Sequence, residues 1–108
     1  MKPRKPVKKV NTDRKKREWT RSYHSEAFVQ WIRGQECQGC GGGPCEAAHT
    51  GTGGMGRKGD WTTVIALCPT CHRKVHSQGW SVIQLTLRTA EILAAATARR
   101  WEDRNATQ

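Results

Sequence analysis

The sequence predicts a small α+β protein: a zinc-stapled ββα unit with flanking N- and C-terminal helices, preceded by a disordered basic arm. Three observations carry that expectation. Two Cys-x-x-Cys pairs, Cys37/Cys40 and Cys68/Cys71, supply four soft thiolates, the ligand set and spacing of a closed tetrahedral zinc site. A β-branched run over residues 62–67 leads into the second pair, and His72 and His76 follow four residues apart, on one face of a helix. Nine of the first 17 residues are cationic against Asp13 alone, a local +8 within a formal net charge of +10.

Size and composition narrow the class. At 108 residues and 35% hydrophobic content the chain is one small domain with a thin core, the kind that needs a metal or disulfide staple. Five cysteines is an odd number, which argues against a fully paired disulfide framework. The basic start is followed by polar residues with no apolar segment behind it, so no secretory signal is expected. No run approaches the roughly 18 apolar residues of a membrane span, and no membrane partner is expected. The cysteines therefore read as reduced metal ligands in a cytoplasmic protein.

Taken in order, residues 1–18 combine Pro3, Pro6 and dense charge, and are expected to stay disordered until bound; residues 19–108 form the folded domain. A basic arm on a nearly neutral domain suits a polyanion, most simply DNA, with Lys15, Lys16 and Arg17 among the contacts. Its contribution would be salt-sensitive and sequence-independent. The alternative is a solvated tail that aids solubility. Ser25 can cap a helix carrying Phe28, Trp31 and Ile32, which Gly34 can end. The run Gly41-Gly42-Gly43-Pro44 turns the chain after the first knuckle.

Residues 45–50 are a short strand, residues 51–59 a glycine-rich loop and residues 62–67 the second strand. A helix then carries His72 and His76 and ends near Gly79. A longer one is expected over residues 82–103, with Ile83, Leu87, Ala90, Ala94 and Trp101 on its buried stripe. Trp19, Trp31 and Trp101 should complete the core, while Trp61 and Trp80 divide between packing and base stacking.

Chemistry concentrates at the cysteines and histidines. Cys45 is the odd thiol and reads as a small buried residue; substituting it for Cys40 would break the symmetry of the pairs. A strand antiparallel to its neighbour and packed on the helix brings His49 toward His72 and His76. The run 51–56 matches Gly-x-Gly-x-x-Gly, yet a strand follows instead of a helix, and Arg57 stands where a phosphate-binding loop needs lysine. Nucleotide binding is rejected. Arg57 and Lys58 among backbone amides suit a DNA phosphate, against the plainer reading of a long hairpin connection.

Together these residues resemble the HNH endonucleases, the ββα-metal nucleases. The matching order is Cys-x-x-Cys, then Glu-Ala-Ala-His49, a strand ending in Leu67-Cys68, and Cys-x-x-Cys-His72-x-x-x-His76. The loop, with Gly51-x-Gly-Gly-Met-Gly-x-Lys58-Gly-Asp60 followed by Ile-Ala-Leu-Cys, looks like a bacteriophage branch that includes recombination-associated nucleases. The likeness spans about residues 28–80. It implies metal-dependent hydrolysis of DNA, with His49 as general base taking a proton from the attacking water. Histidine titrates near neutrality, which suits that role. It implies a divalent ion on His72 and His76, its identity open among Mg, Mn, Co, Ni and Zn.

Two departures accompany the likeness. Ala48 stands where many members carry a metal ligand, and Thr63 aligns with the middle Asn that orients the base. Asp60 or Glu46 is the compensating carboxylate, with Asp60 preferred because it borders the loop. The rival expectation is a non-catalytic, zinc-dependent nucleic-acid-binding module. Phage or prophage origin would place the protein in the bacterial cytoplasm. Duplex, single-stranded, nicked and branched DNA are all compatible, as are a monomer and a dimer.

Overall fold

A two-stranded antiparallel sheet is the platform on which the other elements pack. The structure, a computed structural model, describes residues 12–51 and 59–106. In order these form helices α1 (Thr12–Tyr23) and α2 (Glu26–Arg33), strands β1 (Glu46–His49) and β2 (Val64–Leu67), and helices α3 (Pro69–Gln78) and α4 (Leu87–Ala106). Short 3₁₀ turns occupy Trp61–Thr63 and Trp80–Ile83. Glu46 lies opposite Leu67 and His49 opposite Val64. The described chain is a small α+β fold whose centre is the expected strand–strand–helix unit.

The basic arm differs from expectation. Residues 12–18, expected to be disordered, belong to α1, whose Asp13 sits in the first turn and Arg21 in the last, each complementing the helix dipole. Arginine, lysine and glutamate are good helix formers, so a run that looks like a solvated tail by charge is also a competent helix. An exposed Arg14–Glu18 ion pair at 3.3 Å adds a few tenths of a kcal/mol. Residues 1–11 lie outside the described residues.

α2 follows its sequence signals closely. The Ser25 hydroxyl accepts a hydrogen bond from the Phe28 N–H at 3.1 Å, and Gly34 ends the helix with its own N–H on the Trp31 carbonyl. Phe28 and Ile32 are fully buried against β2, every residue of which is also buried. Trp101 from α4 closes the core at 5.4 Å from both Phe28 and Trp31. Trp61 joins this cluster edge-on to Phe28 at 5.5 Å, so it packs. Trp19 does not reach the core; it is 39% exposed and lies along Tyr23.

The C-terminal helix begins five residues later than expected. Gly79 and Gln84 both take positive φ, at 86° and 61°, which breaks the run into a 3₁₀ turn before α4. The Thr86 hydroxyl then caps α4 by accepting from the Thr89 N–H at 3.1 Å. Its buried stripe is Ala90, Ala94, Thr97, Ala98 and Trp101, while Leu87 is 48% exposed and Ile83 lies outside the helix. The small alanines let α4 lie close on the sheet. No helix among the described residues is long and apolar enough to cross a membrane.

Candidate metal centre

The two cysteine knuckles sit at the two ends of one path through the fold: α2 leads into Cys37, and β2 delivers Cys68. Cys68 caps α3, its sulfur accepting from the Cys71 N–H at 3.5 Å, and Pro69 takes the first helical position, where a missing N–H costs nothing. In the first knuckle, Cys37 Sγ accepts from the N–H groups of Gly39 at 3.3 Å and Cys40 at 3.5 Å. A side chain at Gly39 would meet Cys71 Sγ at 3.0 Å, so glycine there lets the knuckles close on each other.

All four ligand sulfurs lie within 4.8 Å of one another. Cys40 and Cys68 are 3.6 Å apart, close to the ~3.8 Å edge of a tetrahedron with ~2.3 Å zinc–sulfur bonds. That separation is far beyond a disulfide, and all five cysteines are free thiols. The electrostatics call for a cation. Burial alone raises the Cys37 thiol, but hydrogen bonds from the backbone at Cys68, Cys40 and Gly39, with the Cys71 side chain, hold it down at about 6. Burial, followed by its bonded place among the Cys68, Cys37 and Cys40 sulfurs, pushes Cys71 up to about 12. One thiolate forms readily and its neighbour then resists; a divalent ion removes that conflict. Four clustered cysteines that can hold a structural metal such as zinc are therefore a property of the fold.

Cys45 is buried beside the cluster without being one of its four sulfurs, donating its S–H to the Gln35 carbonyl at 3.1 Å. Burial, then the charges of Cys37, Cys68 and Cys40, push its thiol up to about 11.

The histidines divide into two groups. His72 Nδ1 lies 2.6 Å from Glu46 Oε1, and His72 Nε2 lies 3.0 Å from His76 Nε2. The structure thus joins His72, His76 and Glu46. His49, at the end of β1, bonds through Nε2 to the Ser22 carbonyl at 2.7 Å and meets the Tyr23 ring edge-on at 5.2 Å. A carbonyl only accepts, so Nε2 carries a proton. Strand alternation sets Glu46 and His49 on opposite faces of β1. A cleft of 450 Å³ is lined by Tyr23, Arg33, Glu46 and His72 among others.

Two further site residues are engaged elsewhere. Asp60 Oδ1 accepts from the Thr62 N–H at 2.9 Å and from the Thr62 hydroxyl, capping the 3₁₀ turn. It forms no cluster with His72 and His76 tight enough to hold an ion among the described residues. Thr63 donates its hydroxyl to the Asp60 carbonyl at 2.7 Å, and its own carbonyl receives Thr50. The groups met instead are the Ser22 carbonyl at His49 and Glu46 at His72. Lys15, Lys16 and Arg17 are exposed on α1, whereas Arg57 and Lys58 lie outside the described residues.

Fold and cysteines together define a small α+β domain organised on a four-cysteine metal centre. The chain belongs to the DUF968 family, described as a protein of unknown function, whose profile matches residues 5–82 and so includes every knuckle cysteine and all the histidines. α4 lies beyond the matched segment. No curated protein and no solved structure matches the chain.

Proposed function

We propose that this protein is an HNH-type, metal-dependent DNA endonuclease. The observation that carries the reading is the pair of imidazole nitrogens, His72 Nε2 and His76 Nε2, 3.0 Å apart on the helix that the cysteine centre starts. Two ligand bonds of about 2.0–2.1 Å span that gap, so one divalent ion can take both. When bound, the ion supplies electrostatic stabilisation to a phosphate and to its leaving oxygen.

The chain's own residues do the rest. His49, its ring oriented by the Nε2–H bond to Ser22, takes a proton from water. The water oxygen forms a bond to phosphorus, the bond from phosphorus to the 3′ oxygen breaks, and that oxygen gains a proton from solvent. The products are a 5′ phosphate and a 3′ hydroxyl. Arg33, beside Glu46 and His72 in the cleft, supplies a cation for the DNA backbone. Lys15, Lys16 and Arg17 extend that positive surface along α1.

One set of observations favours the second reading, a zinc-dependent DNA-binding module without catalysis. Ala48, 1% exposed, offers no ligand beside His49, and the Thr63 hydroxyl is engaged with Asp60. A supercoiled-plasmid assay separates the two. The nuclease reading expects nicking with at least one of Mg, Mn, Co, Ni or Zn, lost in His49→Ala while DNA affinity persists. Binding without nicking under all five ions, across a range of salt, supports the module instead.

A further inference from the structure

The geometry points to Glu46 as a positioning residue that sets the tautomer and metal affinity of His72. The inference rests on the reading of His72 and His76 as a divalent-ion pair; nicking plays no part in it or in its test. An ionised carboxylate only accepts hydrogen bonds, so at 2.6 Å the proton between Glu46 Oε1 and His72 Nδ1 belongs to the imidazole. A neutral His72 then has its lone pair on Nε2, the atom that faces His76 at 3.0 Å. Two facing lone pairs repel at that distance. Either a proton from His76 or a shared cation must join them.

This is the arrangement in which a carboxylate orients a metal-bound imidazole from behind and raises its basicity. The two partners come from different elements, β1 and α3, so the bond also fixes where the helix presents its histidines. Other candidates for the role are occupied: Asp60 caps its own turn, and Ala48 has no ligand atom. Glu46 keeps 49% side-chain exposure and His72 keeps 21%, so the pair is open to an ion from solution. Imidazole nitrogen favours Ni, Co, Zn and Mn over Mg, which prefers oxygen.

The test uses zinc-loaded full-length protein and Ni²⁺ as the probe, titrated calorimetrically. Glu46→Ala is expected to weaken Ni²⁺ binding about 10- to 100-fold with zinc content unchanged. Glu46→Gln should fall between, because its amide oxygen still accepts from Nδ1–H without the charge. In parallel, ¹⁵N–¹H NMR of the nickel-free protein should find His72 as the Nδ1–H tautomer, shifting toward Nε2–H in Glu46→Ala. Wild type that binds Ni²⁺ while Glu46→Ala binds within about twofold of it, with the tautomer unmoved, overturns the role of Glu46 alone. Wild type that binds no Ni²⁺ overturns the ion-pair reading beneath it.

Discussion

Cys45 and Cys71 lie in one buried neighbourhood and answer to opposite rules. Cys71 needs its charge. Its thiolate belongs to the four-sulfur cluster, and metal binding in such a site is folding free energy. Cys71→Ser is expected to lose the metal and the cooperative fold together, as read by elemental analysis and circular dichroism; a zinc-free, stably folded variant would refute the staple. Cys45 needs to stay neutral. Its thiol is raised from 9.0 to about 11, so the folded state holds the proton more tightly than the unfolded chain. That contribution is complete below about pH 9 and is lost as the pH climbs through 11. A bound cation offsets the charges of Cys37, Cys68 and Cys40, so burial carries the shift in the metal-loaded protein. Its denaturation should show an alkaline loss of stability that begins above about pH 9 and is smaller in Cys45→Ala, and an unchanged alkaline limb in the variant would contradict the assignment.

The loop between the strands shows what a single backbone position does for an element. A Cβ on Gly59 would meet Thr63 Oγ1 at 2.5 Å and the Gly51 carbonyl oxygen at 2.7 Å, in the place where Gly59 N–H bonds that carbonyl. Gly59→Ala should therefore cost about 1–3 kcal/mol by overpacking, measured by denaturant unfolding, whereas alanine at Gly51, which would meet nothing within 4 Å among the described residues, should cost less. Elements with local signals were legible in the sequence: the Ser25 cap, the knuckle spacings, and β2 with its β-branched run. Three features were not. α1 was hidden because its helix-forming residues are also those of a charged tail. The late start of α4 turns on Gln84 at φ 61°, a residue type that carries no such signal. The bonds of His49 to Ser22 and of His72 to Glu46 cross 27 and 26 residues, and only tertiary packing makes them.

Across the described residues a basic helix is joined to the strand that carries a candidate site residue: α1 carries cations outward and, through Ser22, holds His49. Truncation should respect that junction. Removing residues 1–11 deletes five cations and leaves α1, so it should preserve the fold and flatten the slope of log K against log[salt] for DNA binding by at most about 0.9 per cation that contacts phosphate. Cutting through Arg17 instead removes half of α1 and should loosen His49 as well. An unchanged slope after removal of residues 1–11 would mean that those cations do not touch phosphate. The most direct measurement is the rate of supercoiled-plasmid nicking by the zinc-loaded protein with added Mn²⁺, beside His49→Ala. A general base contributes about 10²–10⁴-fold, and a loss of that size with DNA affinity and zinc content intact is the predicted result. Equal rates in the two proteins, or no nicking by either, would contradict it.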